Sequence, residues 1–180
     1  MAAEHPTLQP GQDFSSQLFK MKSPNSSGWV GLSQNGSRIA FARSGTAATD
    51  SDIAAVILFP VPAASGVEDF VALVRKGVER DAPKPRFEVE NTSLEVSPDR
   101  PYACVKYNAT SIDHGEKTFV LPKRPLRLQL LSLYCRYPDN PGLGFAISFS
   151  HRGATPLLTF QQEAEEFIDG VQVTPTDKKP

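Results

Sequence analysis

The chain has 180 residues, 39% of them hydrophobic, and its 19 basic and 20 acidic side chains leave a formal charge of -1. That length suits one domain able to hide roughly 70% of the surface its unfolded chain would expose. A charge so near zero lacks the basic surface that phosphate-backbone contacts need, which argues against a nucleic-acid partner. No apolar run approaches the ~18 to 20 residues that cross a bilayer as a helix.

The opening MAAEHPTLQPGQDF and the closing VTPTDKKP are polar, Pro-bearing and aperiodic. They predict disordered tails over 1–15 and 174–180, with a single α+β domain over 16–173 between them. Met-Ala-Ala-Glu at the start fits a chain relieved of a signal or lipoprotein leader and equally an ordinary cytosolic start. QLFKMK and WVGL flank a Pro-Asn-Ser-Ser-Gly loop, and LSQNGSRIAFA carries Asn35-Gly36, a pair that tolerates the positive φ of a two-residue hairpin turn. DIAAVILFPV is a continuous apolar run ended by prolines, as expected of a strand buried on both faces.

The period then changes. Val67, Phe70, Val74 and Val78 recur at helical spacing, Ser65 and Glu68 fit a capping box, and Pro83 and Pro85 stop the helix. RFEVENTSLEVS, PYACVKYNATSI, LRLQLLSLYCRY and LGFAISFS follow as an antiparallel meander. A second helix is expected from Pro156, with Thr155 as its cap and Leu157, Phe160, Ala164, Phe167, Ile168 and Val171 as its buried stripe. The fold class is therefore α+β, a mostly antiparallel β-sheet with two main helices at about 65–82 and about 156–170.

Cys104 and Cys135 fall on consecutive strands, and pairing them sets Ile112 opposite Arg127 with a plausible loop between. A cross-strand disulfide is therefore expected if the α-carbons come within about 7 Å. Such a bond implies an oxidising compartment, periplasmic or extracellular, although two buried thiols would fit the sequence and a cytoplasmic location stays open. His5, His114 and His151 are scattered, without a zinc-ligand spacing, and no phosphate-loop signature occurs, so no metal and no cofactor are expected. Asp113-His114 reads as a turn pair, and Glu88 and Glu90 as a solvated pair on a strand. Asn25, Asn35, Asn91 and Asn108 each open an Asn-x-Ser/Thr triplet, meaningful as glycan acceptors only in a eukaryotic secretory protein.

The catalytic alternative is a small serine hydrolase built on Ser148, Ser150 and His151. Neighbours on a strand point to opposite faces, which separates Ser150 from His151 and argues against the dyad. Leu143, Phe145, Ile147, Phe149 and His151 make a bulky face; Gly144, Ala146, Ser148, Ser150 and Arg152 make a small one able to admit an overlying helix. The segment then reads as a strand exit whose His151 and Arg152 are candidate partner contacts at the sheet's rim, and no catalytic residue is assigned. A carrier of a small apolar ligand is a third reading, requiring an enclosed pocket of roughly 300 Å³ or more.

The first strand from Phe19 through Pro24 to Gly28-Trp29, the helix SGVEDFVALVRKGVER after a buried strand, the run of long strands and the last helix ending EEFIDGVQV resemble the PsbP-like fold family. That family includes PsbP, Ran-binding Mog proteins, DcrB-type bacterial lipoproteins and type VI effector-associated chaperones. The resemblance implies a non-enzymatic accessory or chaperone-like protein of the bacterial envelope that binds a protein partner. It would meet a membrane only through a lipid anchor absent from this chain. Trp29, which matches the aromatic after the first loop, is the one partner-contact candidate the resemblance adds. The reading that the sequence favours is that Trp29 covers the core.

Overall fold

The computed structural model describes residues 6–45, 47, 49–62, 66–115 and 125–174. Strands β1 (Asp13–Ser15), β2 (Phe19–Lys22), β3 (Trp29–Asn35), β4 (Arg38–Ser44) and β5 (Ser51–Pro60) precede helix α1 (Val67–Asp81). Then come β6 (Phe87–Ser97), β7 (Cys104–Asp113), β8 (Leu126–Arg136), β9 (Leu143–Gly153), helix α2 (Phe160–Asp169) and β10 (Gln172–Val173). Seven strands pair in the order β3-β4-β5-β9-β8-β7-β6, antiparallel throughout, and β1 and β10 flank β2 in a smaller antiparallel sheet. The α+β class read from the sequence is the one observed.

Side-chain alternation divides the large sheet into two unlike faces. One carries Trp29, Phe41, Phe145, Ile147, Phe149, Leu131 and Leu133, and the small sheet and α2 lie over it. Phe149 is the hub: its ring centroid stands 5.6 Å from that of Trp29, 5.8 Å from that of Phe160 and 6.3 Å from that of Phe167. Edge-on aromatic pairs of this kind add about 0.5 to 1.5 kcal/mol each beyond the area they bury. The other face carries α1, seated through Phe70 and Val74 against Val61 and Val105. Val67 and Val78 were expected in the same stripe, but Val67 is exposed and Val78 only packs at the margin. Because α1 covers one corner of its face, Ile57 of β5 is 37% exposed, so β5 is interior to the sheet without being buried on both sides.

Bulk alternation along β9 predicted this asymmetry, though the aromatic face, not the small one, receives the larger covering layer. The small face still has a tight spot. A β-carbon on Gly144 would stand 2.5 Å from Val61 Cγ2 and 2.7 Å from Phe59 Cε2. Gly144→Ala is therefore expected to cost about 1 to 3 kcal/mol by overpacking, read as a lower urea midpoint with an unchanged slope.

Several local expectations shift. The α2 helix begins at Phe160, not Pro156, because Leu157 N donates to Gln129 Oε1 at 2.7 Å and the Thr155 carbonyl faces His151 Nε2 at 3.0 Å, which ties residues 155–157 to the sheet as a turn. The N-cap of α1 is Gly66, without a side-chain cap, and the expected capping box falls on Ser65, which lies outside the described residues. The Asn35-Gly36 turn is held by the Asn35 side chain, whose Oδ1 accepts from Ser37 N at 3.0 Å and Arg38 N at 2.9 Å, with no positive φ at Gly36. Part of the expected N-terminal tail is structured, since β1 pairs with β2, Leu8 N donates to Trp29 O at 2.8 Å, and Leu8 and Phe14 pack on the core. Residues 1–5 and 175–180 of the two expected tails lie outside the described residues.

Candidate functional site

On the aromatic face, β9 delivers His151 into the interior, where it is 6% exposed. Its Nδ1 lies 2.7 Å from Asp52 Oδ1 and its Nε2 3.0 Å from the Thr155 carbonyl oxygen. The Thr155 carbonyl can only accept, so Nε2 donates to it, and the two contacts fix the ring from both sides. The second oxygen of Asp52 accepts from Arg43 Nε at 2.7 Å, and Arg43 Nη2 continues to Glu163 of α2 at 3.1 Å. Arg43 also lies over the Trp29 ring, 4.9 Å from its centroid, while Trp29 Nε1 donates to Ser26 Oγ at 3.0 Å. These groups clamp β4, β5, β9, α2 and the loop before β3 into one body. His151 and Trp29, expected at a partner surface, are thus corrected to interior residues; both are nearly enclosed and fully hydrogen bonded.

The serines face the other way. Ser148 Oγ accepts from Ser132 Oγ at 2.8 Å on the small face, across the sheet from the imidazole. Ser150 stands on that same face, opposite Ile53 and Leu130. The hydrolase arrangement requires an acid or base within about 3 Å of a serine oxygen, and β-strand parity keeps His151 away from both. Among the described residues, the clefts described below open to the surface and do not form the enclosed chamber that an apolar carrier requires.

Arg152, the next residue, emerges on the small face and crosses β8 to reach Asp113, where its Nε donates to Oδ2 at 2.7 Å. Arg86 Nε donates to Asp113 Oδ1 at 3.2 Å and the Gly115 amide to the same oxygen at 2.8 Å. Burial alone would raise the Asp113 pKa, yet the hydrogen bonds from Arg86, Gly115 and Arg152 together hold it below the ordinary carboxylate value. Asp113 was read as half of a turn pair. It is instead the buried anchor of two guanidiniums, and nothing local in Ile-Asp-His-Gly signals partners that are 27 and 39 residues away.

A depressed carboxylate pKa stabilises the fold above the unfolded value of about 3.9, and that contribution is lost as pH falls through the folded value. Urea midpoints are therefore expected to fall as the pH is taken from 6 towards 3, and less steeply in Asp113→Asn, which is the less stable protein at pH 7. Parallel acid limbs in the two proteins would contradict this.

Beyond the guanidiniums, a two-part cleft runs under the C-terminal half of α1. The inner part, about 150 Å³, is lined by Tyr107, Ser111, Leu128, Leu130, Ser132, Tyr134 and Ser148 of the sheet and by Val78, Asp81 and Ala82 of α1. The outer part, about 450 Å³, shares Val78, Ala82 and Tyr107 with it and reaches Val89, Thr92 and Leu94 on the edge strand β6. Burial, reinforced by the charge of Glu79, raises the Tyr107 phenol, and burial raises Tyr134, so both remain hydroxyl donors at neutral pH. Val89 and Val96 of β6 are 45% and 53% exposed beside it. A third cleft, about 360 Å³, lies between α2 and the β7–β8 strands. It is bridged by Lys106 and Glu165 at 3.2 Å, and Arg100 borders it while donating to the carbonyls of Ile168, in the last turn of α2, and of Val171, just past it. That cleft serves as a helix attachment.

An open antiparallel seven-stranded sheet, covered on one face by a C-terminal helix and a small sheet and on the other by a single helix at one corner, defines the class of protein. That is the PsbP-like fold. The crystal structure of the Ran-binding protein Mog1p from Saccharomyces cerevisiae matches 94% of this chain and 95% of its own with a TM-score of 0.51 at 11% identity. The solution structure of the cyanobacterial PsbP (CyanoP) of Synechocystis sp. PCC 6803 matches 91% of this chain and 92% of its own at 17% identity and a TM-score of 0.49. No family model and no curated protein matches the sequence.

Proposed function

We propose that the chain is a non-catalytic accessory protein of the bacterial envelope, chaperone-like in role, that works by holding a protein partner and is the soluble part of a lipoprotein. The observation that carries the reading is the side of the sheet that α1 covers only at one corner: among the described residues, a groove beside α1 is continuous with an edge strand that exposes valines. Large exposed apolar residues gathered beside a groove mark interaction sites more often than scattered ones do. The extracytoplasmic location rests on the Cys104–Cys135 disulfide, a bond that persists in oxidising compartments. Mog1p, named for binding Ran, gives a precedent for a protein partner on this fold.

The reading is tested with a photo-cross-linking side chain placed at Val89 or Val96 in the native host, against a control at Lys22 on the small sheet. A defined adduct from the β6 positions and none from Lys22 is the expected result. Equal labelling from both faces, or no adduct together with ester turnover by the purified chain, would sink it.

A further inference from the structure

On the small face of the sheet, the alternate residues Tyr107, Ala109 and Ser111 of β7 line the inner cleft beside α1. Tyr107 is 7% exposed and Ser111 4%, yet neither hydroxyl has a hydrogen-bond partner among the described residues. A hydroxyl withdrawn from water and left unpaired forfeits its solvation without compensation. The other serines of the cleft differ, since Ser132 and Ser148 bond each other at 2.8 Å. Between the two unpaired groups Ala109 contributes only a methyl, and apolar walls come from Val78 and Ala82 of α1 and from Leu128 and Leu130 of β8. A space of about 150 Å³ with such walls has the size that accepts a single six-membered ring.

We infer that the inner cleft takes a tyrosine side chain of the partner polypeptide, its ring over Ala109 and its phenol oxygen bonded to the Ser111 hydroxyl. This deepens the protein-binding reading and rests on it. Three observations select this occupant. The volume and the apolar walls fit one aromatic ring. The unpaired Ser111 hydroxyl calls for a polar group on that ring, which phenylalanine lacks. The inner cleft continues into the outer one past Val78, Ala82 and Tyr107, which gives the main chain of an anchored residue a way out along Val89 and Leu94. Tyr107 stands at that passage, and burial together with the charge of Glu79 keeps its phenol protonated at neutral pH, so it donates to a main-chain carbonyl of the bound segment. Aromatic residues with a hydrogen-bonding tip, seated in a pocket, are the type that most often carries the binding energy of a protein interface.

The test uses the full chain and two amino-terminally labelled peptide amides, Gly-Val-Tyr-Val-Gly and Gly-Val-Phe-Val-Gly, read by fluorescence polarisation. The tyrosine peptide is expected to bind about 10-fold more tightly than the phenylalanine one, the difference that a hydrogen bond to an otherwise unpaired buried hydroxyl makes. Ser111→Ala is expected to abolish that preference so that both peptides bind alike, and Ala109→Leu, which fills the floor, to weaken both. Ser111→Ala is also expected to leave the urea midpoint unchanged or raised, because it removes a hydroxyl that bonds nothing in the free protein; a clear fall would show a partner already in place and overturn the inference. Equal binding of the two peptides to the native chain, no binding of either, or an undiminished tyrosine preference in Ser111→Ala would each overturn it as well. The comparison of tyrosine with phenylalanine is made first on the native chain, so a variant that fails to fold does not remove the test. Failure of the peptides with a specific adduct still formed at Val89 would overturn the tyrosine anchor and leave the protein-binding reading standing.

Discussion

Replacing Asp52 with alanine is expected to cost about 3 to 5 kcal/mol, the range for breaking a buried ion pair by removing one partner. The Asp52 side chain is 4% exposed, and it receives both the His151 imidazole and the Arg43 guanidinium, themselves 8% and 14% exposed. Deleting the acid leaves the Arg43 guanidinium and the His151 ring without their shared acceptor, with Glu163 the remaining acid on Arg43 among the described residues. The uncompensated charge on Arg43 and the unmet hydrogen bond of the His151 ring dominate over the small cavity created. Asp52→Asn should cost less, since the amide oxygen still accepts one of the two bonds. The double variant Asp52→Ala/His151→Leu should recover part of the loss, because it removes the buried ring nitrogen together with the acceptor it faced, and a double-mutant cycle from urea unfolding measures that coupling. A loss below 1 kcal/mol for Asp52→Ala would show that the cluster is far better solvated than its enclosure implies.

The same cluster marks where sequence reasoning stops. Strand parity assigned His151 to the bulky face of β9, and the register placing Ile112 opposite Arg127 is the one observed. Both follow from the period of two, a local rule. That His151 is enclosed depends on Asp52, 99 residues earlier, and on the turn at Thr155. Charged partners so distant in sequence leave no periodic trace. The tail containing Leu8 and Phe14 was misread for a related reason: a three-residue strand is too short to display alternation, and its order comes from packing against Phe41, 4.8 Å from Phe14 between ring centroids. Arg152 is the exception among the candidate contacts. Parity placed it on the small face at the sheet's rim, and the structure finds it there beside the cleft, with Asp113 as an orienting partner that the sequence had presented as a turn residue.

Removing the Cys104–Cys135 disulfide is expected to cost about 3 to 4 kcal/mol, the value the chain-entropy model gives for a loop closed between residues 31 apart. Against a total of about 5 to 15 kcal/mol for a domain, that is a large fraction. The effect lies mainly in the unfolded chain. Both cysteines are wholly buried and face each other directly across β7 and β8, with α-carbons 4.1 Å apart. Once reduced, two thiols in this setting still fill their space as small hydrophobes, so the folded state changes little. The unfolded state, released from its cross-link, expands and exposes more surface. Urea unfolding with and without reductant should therefore show a lower midpoint and a steeper slope in the reduced protein, a combination that loss of a native contact alone would not produce. The mass of the native chain after alkylation provides the companion measurement: no label is expected until the protein is both denatured and reduced. Coincident unfolding curves, with both thiols already labelled in the folded protein, would remove the bond as a stabilising element. The case for an oxidising compartment would fall with it.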